Sequence, residues 1–345
     1  MIFVGDVAIA PDDQFEQVGF PDYLKSQPIS VNLEGAISTD LRVPQSGLCN
    51  TADWPNCFTG FELGPVFLGN NHVTDLPGGI LTTQKHLAAL GLQSFGAGPS
   101  APDAQSAAVA GDIVCLGFGW PVIQCVPASV KKSGVNRLAR DEVVGQVRRT
   151  LEGHPDKKLI IVFHWNYEFE PYPQPGHRAL AMELVDMGVY AVIGHHPHIV
   201  GPVERYRGRI LAYSLGNWMF SYKRFFRGQL RFPPKSFEQI AVEIGPRGDF
   251  VHKVIFEPPS TITYCGAESV HLSAFSFAPE FEGLSHAEYL AWFKKNRVKR
   301  KALPIYSTAD RTVKNAVFDC WVTLRQRLIG FLLALRIKRR SPNGL

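Results

Sequence analysis

Three imidazoles fall within four residues at Ile193-Gly194-His195-His196-Pro197-His198, directly after an apolar run. Imidazole is the commonest protein ligand for metals, and a strand that ends in a turn lets such groups converge on one ion. Four other segments repeat this pattern of an apolar strand running into ligand-type residues. They are Ile2-Phe3-Val4-Gly5-Asp6, Ile29-Ser30-Val31-Asn32-Leu33-Glu34, Val66-Phe67-Leu68-Gly69-Asn70-Asn71-His72 and Leu159-Ile160-Ile161-Val162-Phe163-His164. Carboxylate oxygens from Asp6 and Glu34, the amide oxygen of Asn71 and nitrogens from His164, His196 and His198 form the donor set of a hydrolytic metal centre. His196 and His198 are two apart, so an extended backbone aims both one way and His195 the other, which makes His195 the weaker candidate. His72 follows Asn71 and is the candidate proton donor or oxyanion partner. Ser214 and Asn217 could line the site, although turn chemistry explains them equally well. Glu168 and Glu170, set among Trp165, Tyr167, Phe169 and Tyr172, read as a substrate rim or as an ordinary acidic loop.

The elements that must position these groups read as α/β, because short β-branched runs alternate with helical patterns through about residue 220. Helices are expected over Leu81 to Leu90, Arg140 to Leu151 and His177 to Met187, the last stopped by Gly188. Residues 223–235, rich in Arg, Phe and Pro, read as an exposed loop. Gln239 to Ile244 and Phe250 to Glu257 alternate as an antiparallel pair. Pro258-Pro259 marks the expected edge between a main domain over 1–260 and an extension over 261–345.

Composition narrows the classes. The 345 residues are 45% hydrophobic and 19% charged, which is ordinary for a globular protein. A net charge of +5, with much of the basic excess beyond residue 290, argues for a local basic patch and against a nucleic-acid partner. Six cysteines lack CxxC spacing and no leader precedes the first strand, so the expectation is a reduced, cytoplasmic chain. Cys49 and Cys57 could pair only in an oxidising compartment. Neither a Walker sequence nor a dinucleotide fingerprint is present. Ala212-Tyr213-Ser214-Leu215-Gly216 misses the nucleophile elbow at its first position and lacks a following helix start, which excludes a serine hydrolase.

Six ordered motifs resemble the capsule-synthesis CapA family, the CapA/PgsA-like group of capsule and poly-γ-glutamate synthesis. They are Gly5-Asp6-Val7, Asn32-Leu33-Glu34-Gly35, Asn70-Asn71-His72-Val73-Thr74-Asp75, His164-Trp165-Asn166-Tyr167-Glu168, Gly194-His195-His196-Pro197-His198 and Tyr213-Ser214-Leu215-Gly216-Asn217-Trp218. The resemblance implies a branch of the calcineurin-like metallophosphoesterases, with a four-layer β-sandwich flanked by helices and, here, a C-terminal helical appendage. It also implies metal ligands at Asp6, Glu34, Asn71, His164, His196 and His198, and His72 as the catalytic imidazole. One or two divalent ions are expected, and mixed nitrogen and oxygen ligation suits Mn, Fe or Zn. Two positions depart from the pattern. Ala8 stands where phosphoesterases carry a His, so one metal position lacks a ligand unless Glu168, His195 or water supplies it. Asn166 stands where the family has Gly.

The resemblance implies a metal-dependent hydrolase or transferase that acts on a phosphoester or amide bond of an anionic surface polymer. The alternative is a non-catalytic metal-binding subunit of a membrane-associated polymer synthase. At the carboxyl end, Val317, Cys320, Trp321, Leu324, Leu328, Phe331, Leu332 and Leu335 recur at helical spacing over about residues 312–338. This basic amphipathic helix is too mixed to span a bilayer. It is expected to pack on the protein or a synthase partner, or else to lie on the inner face of the membrane.

Overall fold

The computed structural model describes residues 1–38, 40, 47–298 and 303–334. Among the described residues two sheets dominate. The larger runs in the order Glu16–Val18, Thr261–Ser269, Gly248–Glu257, Glu238–Gly245, Ile2–Ala8, Pro28–Leu33, Glu62–Phe67 and Ser94–Phe95, with Asn217–Phe220 added beside Ile2–Ala8. The smaller runs Val203–Tyr206, Arg209–Ala212, Ala191–His195, Lys158–His164, Ile113–Gly119 and Ala108–Ala110. The strands that carry the candidate donors pair in parallel, so their carboxyl ends lie together.

Side chains alternate across each strand, and the two faces enter different cores. Val114 and Leu116 join a cluster with Ile80, Leu87, Val143, Val147, Leu180 and Leu184. Those last six belong to the helices Gly79–Ala89, Arg140–Gly153 and Pro175–Asp186. Cys115, Ile160, Val162 and Ile193 of the smaller sheet instead share a second cluster with Phe3, Phe67, Ile240 and Val242 of the larger. Each sheet thus packs apolar side chains against the other. The expected helices are present with shifted ends; Pro175 opens its helix, where a missing N–H costs nothing. Cys49 and Cys57 are buried free thiols, pushed up to about 11 by burial.

The edge read at Pro258-Pro259 lies inside the packed body. Thr261–Ser269 pairs along Gly248–Glu257 within the larger sheet. Farther on, Phe281, Tyr289, Phe293, Tyr306 and Val322 enter the main core. Proline pairs mark a turn, but they carry no information about which strand follows them. The C-terminal helix spans Val313–Ala334, and residues 335–338 of its expected range lie outside the described residues. Val322 and Ile329 are its buried apolar positions, whereas Val317, Trp321, Leu324, Leu328 and Phe331 of the sequence stripe are exposed. Val317, Leu324, Leu328 and Phe331 of that stripe are thus more than half exposed.

Buried Arg178 joins the extension to the sheet. Its Nε donates to Glu204 Oε2 at 2.9 Å and its Nη1 to the Leu284 carbonyl at 3.0 Å. Replacing Arg178 by Met strands a buried carboxylate, so unfolding in urea should show a loss of about 3–5 kcal/mol. A loss below about 1 kcal/mol would contradict that coupling.

Candidate metal centre

Strand register brings the donors together. Asp6 stands opposite Asn32 and Asn217 on its two flanking strands, and His164 stands opposite His195. Both pairings of the Ile2–Ala8 strand shift register at Asp6, an irregularity that re-aims a side chain. Gly5 permits the approach, since a Cβ there would meet the Gly216 carbonyl oxygen at 2.3 Å.

His164 is the hub of the cluster. Its Nε2 lies 2.7 Å from Asn71 Oδ1, 3.2 Å from His196 Nδ1 and 3.9 Å from Glu34 Oε1. His198 Nε2 lies 3.7 Å from the same Glu34 oxygen. Glu34, His196 and His198 offer donor atoms all within 4.8 Å of one another. Such separations are the edges of a coordination shell with metal–ligand bonds of about 2.0–2.2 Å.

The two carboxylates differ sharply. Asp6 is saturated: Oδ1 accepts from Asn32 Nδ2 at 2.8 Å and pairs with His195 Nδ1 at 2.9 Å. Its Oδ2 accepts from the His196 N–H at 3.3 Å and lies 3.2 Å from His198 Nδ1. Burial alone pushes the Asp6 carboxyl up, but the His195 and His198 hydrogen bonds outweigh it and hold the group well below the usual carboxylate range. Glu34 is fully buried, and neither of its oxygens has a hydrogen-bond partner among the described residues. Burial pushes its carboxyl up to about 7; the neighbouring His198 opposes that rise and Asp6 adds to it. A buried carboxylate with free lone pairs, ringed by imidazole nitrogens, fits a divalent cation. Glu34, His196 and His198 are the residues best placed to hold one, with His164 and Asn71 alongside.

All three turn histidines face this cluster, His195 included. The alternation expected of an extended backbone fails because the strand ends at His195. His196 and His198 then take left-handed conformations, with φ of 97° and 55°. His195 reaches the centre through Asp6. Asn166 also sits in left-handed backbone, with φ of 69°, a region Asn tolerates. Its Nδ2 donates to the Glu170 and Tyr172 carbonyls, so Asn does there what a Gly turn does elsewhere.

His72 sits at the rim, its Nδ1 2.7 Å from Asp75 Oδ2 and its Nε2 3.9 Å from Glu34 Oε1. Burial lowers its pKa, but the Asp75 hydrogen bond and charge outweigh this and raise it. Asn217 Oδ1 lies 2.9 Å from His198 Nδ1 and so lines the centre, whereas Ser214 Oγ donates to the Ile199 carbonyl as an ordinary turn bond. Glu168 is half-buried, and its negative charge acts on both Glu34 and His198.

Several residues of the centre carried no role in the sequence reading. Asn32 donates to Asp6 Oδ1 and lies 3.3 Å from His164 Nδ1. Asn70 accepts from the Gly35 and His72 N–H groups. The available signal was a buried-type strand, Val31-Asn32-Leu33, interrupted by an amide. The segment read as an exposed loop is also different: Phe225 is fully buried, Phe232 lies 5.0 Å from the His198 ring and Phe226 lies 6.2 Å from the His72 ring. Periodicity cannot find such a wall, because its aromatics contact residues far away in sequence. Ala8 is packed with Phe220 and Phe225, so aromatic side chains adjoin the position where phosphoesterases place a His.

Carboxylate, amide and imidazole donors at the strand ends of an α/β protein mark the chain as metallophosphatase-like. It belongs to the family described as bacterial capsule synthesis protein PGA_cap, whose family model matches residues 3–222. Similar proteins include the capsule biosynthesis protein CapA of Bacillus anthracis, 29% identical over 44% of this chain and 39% of that one. The PGA biosynthesis protein CapA of Bacillus subtilis (strain 168) is 30% identical over 44% of this chain and 41% of that one. A probable polyglutamine synthesis accessory protein of Mycobacterium tuberculosis is 29% identical over 48% of each chain. The chain spans under half the length of these curated relatives. A hypothetical protein from Thermus thermophilus gives a TM-score of 0.39 at 15% identity over 77% of this chain and 96% of that one, too distant a likeness to define the fold.

Replacing Glu34 by Gln should lower divalent-metal content measured by elemental analysis at least about tenfold, whereas an unchanged content contradicts the assignment. Proton linkage gives a second outcome. Burial lowers the His198 pKa, but Glu34 and Asp6 overcome it and raise it from 6.5 to about 10. The resulting stabilisation is complete below the unfolded value and is lost as pH rises toward the folded one. Glu34, raised from 4.5 to about 7, adds a loss over that lower window. Burial holds His164 and His177 below the usual imidazole value, which opposes that lower-window loss. The urea midpoint of metal-free protein should therefore fall as pH rises from about 7 to about 9, and His198→Gln should flatten that fall. A midpoint that rises over that range contradicts the charge arrangement.

Proposed function

We propose that the chain is a metal-dependent hydrolase or transferase acting in the synthesis or remodelling of capsule polysaccharide or poly-γ-glutamate. The observation that carries this reading is Glu34, whose two buried oxygens lack hydrogen-bond partners among the described residues while four histidine rings lie close by. The names of the relatives supply the pathway, since two are capsule or PGA biosynthesis proteins. The four-layer form of the fold is supported by the core that the two sheets share and by the helices packed on the other strand faces.

When bound, a Mn, Fe or Zn ion supplies Lewis acidity toward a water molecule and toward the ester or amide oxygen of the substrate. The rest of the chemistry falls to side chains. Asp75 accepts from His72 Nδ1–H and its charge favours the imidazolium form, which carries a second proton at Nε2 facing the centre. From there His72 protonates a leaving oxygen or nitrogen, or donates a hydrogen bond to developing negative charge. Asp6 holds His195 and His198 and thereby orients the histidine turn. Phe220, Phe226 and Phe232 form an apolar wall that limits water at the centre.

A second reading, a non-catalytic metal-binding subunit of a polymer synthase, draws on Ala8. Its apolar surroundings supply no ligand at a position where related hydrolases use one.

Metal-loaded protein screened on p-nitrophenyl phosphoesters and γ-glutamyl amides separates the two. The enzyme reading expects turnover, and His72→Gln should lower it about 10²–10⁴-fold without loss of metal. Bound metal without turnover on either substrate class favours the subunit. Equal turnover in wild type and His72→Gln contradicts the role of His72.

A further inference from the structure

The C-terminal helix turns an apolar stripe away from the protein. Val313, Val317, Trp321, Leu324, Leu328 and Phe331 recur three or four residues apart, and each is 50–85% exposed. That spacing holds all six on one side of the cylinder. The opposite side already fastens the helix. Val322 and Ile329 are buried, the Tyr306 hydroxyl donates to Asp319 Oδ1 at 2.8 Å, and Asn315 Nδ2 donates to the Thr308 and Asp310 carbonyls. The fold therefore does not require the outer stripe.

Charge identifies what covers it. At about 100° per residue, Lys314 and Arg325 fall along one margin of the stripe and Arg327 along the other. Asp319 is the helix's one acid, and it is turned inward to Tyr306. The sequence then continues Leu335-Arg336-Ile337-Lys338-Arg339-Arg340, again without an acid. A second copy laid against the stripe would bring basic margin to basic margin with no carboxylate between them. An anionic bilayer meets both needs at once, because its acyl boundary takes the apolar stripe and its headgroups pair with the margins. Trp321, an amphipathic ring in the middle of the stripe, suits that interface. No described helix is long and apolar enough to cross a membrane, so this contact lies in the plane of the surface.

We propose that Val313–Ala334 is an interfacial helix that binds the surface of an anionic phospholipid bilayer through Val313, Val317, Trp321, Leu324, Leu328 and Phe331. The helix thereby holds the metal centre's domain at a membrane face. This stands independently of whether the centre is catalytic.

Co-sedimentation of the full chain with vesicles tests it, using phosphatidylglycerol–phosphatidylcholine mixtures against phosphatidylcholine alone. Binding should require phosphatidylglycerol and weaken with salt. The double variant Leu324→Glu/Leu328→Glu should lower partitioning at least about tenfold, and Arg327→Gln about fivefold. Both variants should keep the wild-type thermal midpoint and zinc affinity, since neither site touches the core or the metal centre. Three results would overturn the proposal: no binding to phosphatidylglycerol vesicles, equal binding by the double variant, or a dimer in ultracentrifugation that the double variant abolishes while vesicles are ignored. The last would assign the stripe to a second copy.

Discussion

A carboxylate taken out of water and given no hydrogen bond costs several kcal/mol, and among the described residues Glu34 is such a group, fully buried beside the histidine turn. Two remedies exist: a proton or a cation. Burial, which pushes its pKa up to about 7, favours the first, and the imidazoles around the carboxylate make the second available. Asp6, equally buried, needs neither, because Asn32, His195, His196 and His198 satisfy both its oxygens. One acid is thus bound into the scaffold and the other is left free for a ligand. That division of labour is what a metal centre requires and a buried salt-bridge network does not.

The rest of the architecture maintains this asymmetry. Parallel pairing places the ends of several strands side by side, and the register shift at Asp6 turns its carboxylate toward the histidine turn. Left-handed backbone at His196 and His198 lets three imidazoles of one turn point to one region, which no extended strand could do. Phe232 and Phe220 then lean against His198 and keep the surroundings apolar. In a low-dielectric setting each of these contacts acts more strongly than it would at the surface.

Much of this was legible beforehand, and the failures have physical causes. The α/β class followed from β-branched runs alternating with helical patterns. Apolar runs ending in ligand-type residues pointed to Asp6, Glu34, Asn71, His164, His196 and His198. The structure brings these into one cluster, although Asp6 spends both oxygens on protein partners. His195 faces the same cluster as His196 and His198 because extended geometry stops at His195, so alternation does not hold through His198. Residues 223–235 read as an exposed loop, yet Phe225 is buried and Phe226 and Phe232 face the centre, since a loop rich in Arg and Pro gives no periodic sign of what it covers. The break expected at Pro258-Pro259 did not appear, because sheet pairing after that turn is a long-range property. Asn32 and Asn70 drew no attention, although an amide inside an apolar strand signals a buried partner.

Membership of the capsule synthesis family and the departure at Ala8 bear on each other. Ala8 packs among aromatic side chains and offers no ligand, while Glu34, His196 and His198 stay close enough to share an ion. The most direct test is anomalous diffraction from crystals grown with manganese. The account predicts a peak within bonding distance of a Glu34 oxygen and of the His196 and His198 rings. A Glu34 carboxylate paired with protein hydrogen-bond donors, with no peak beside it, would contradict the account.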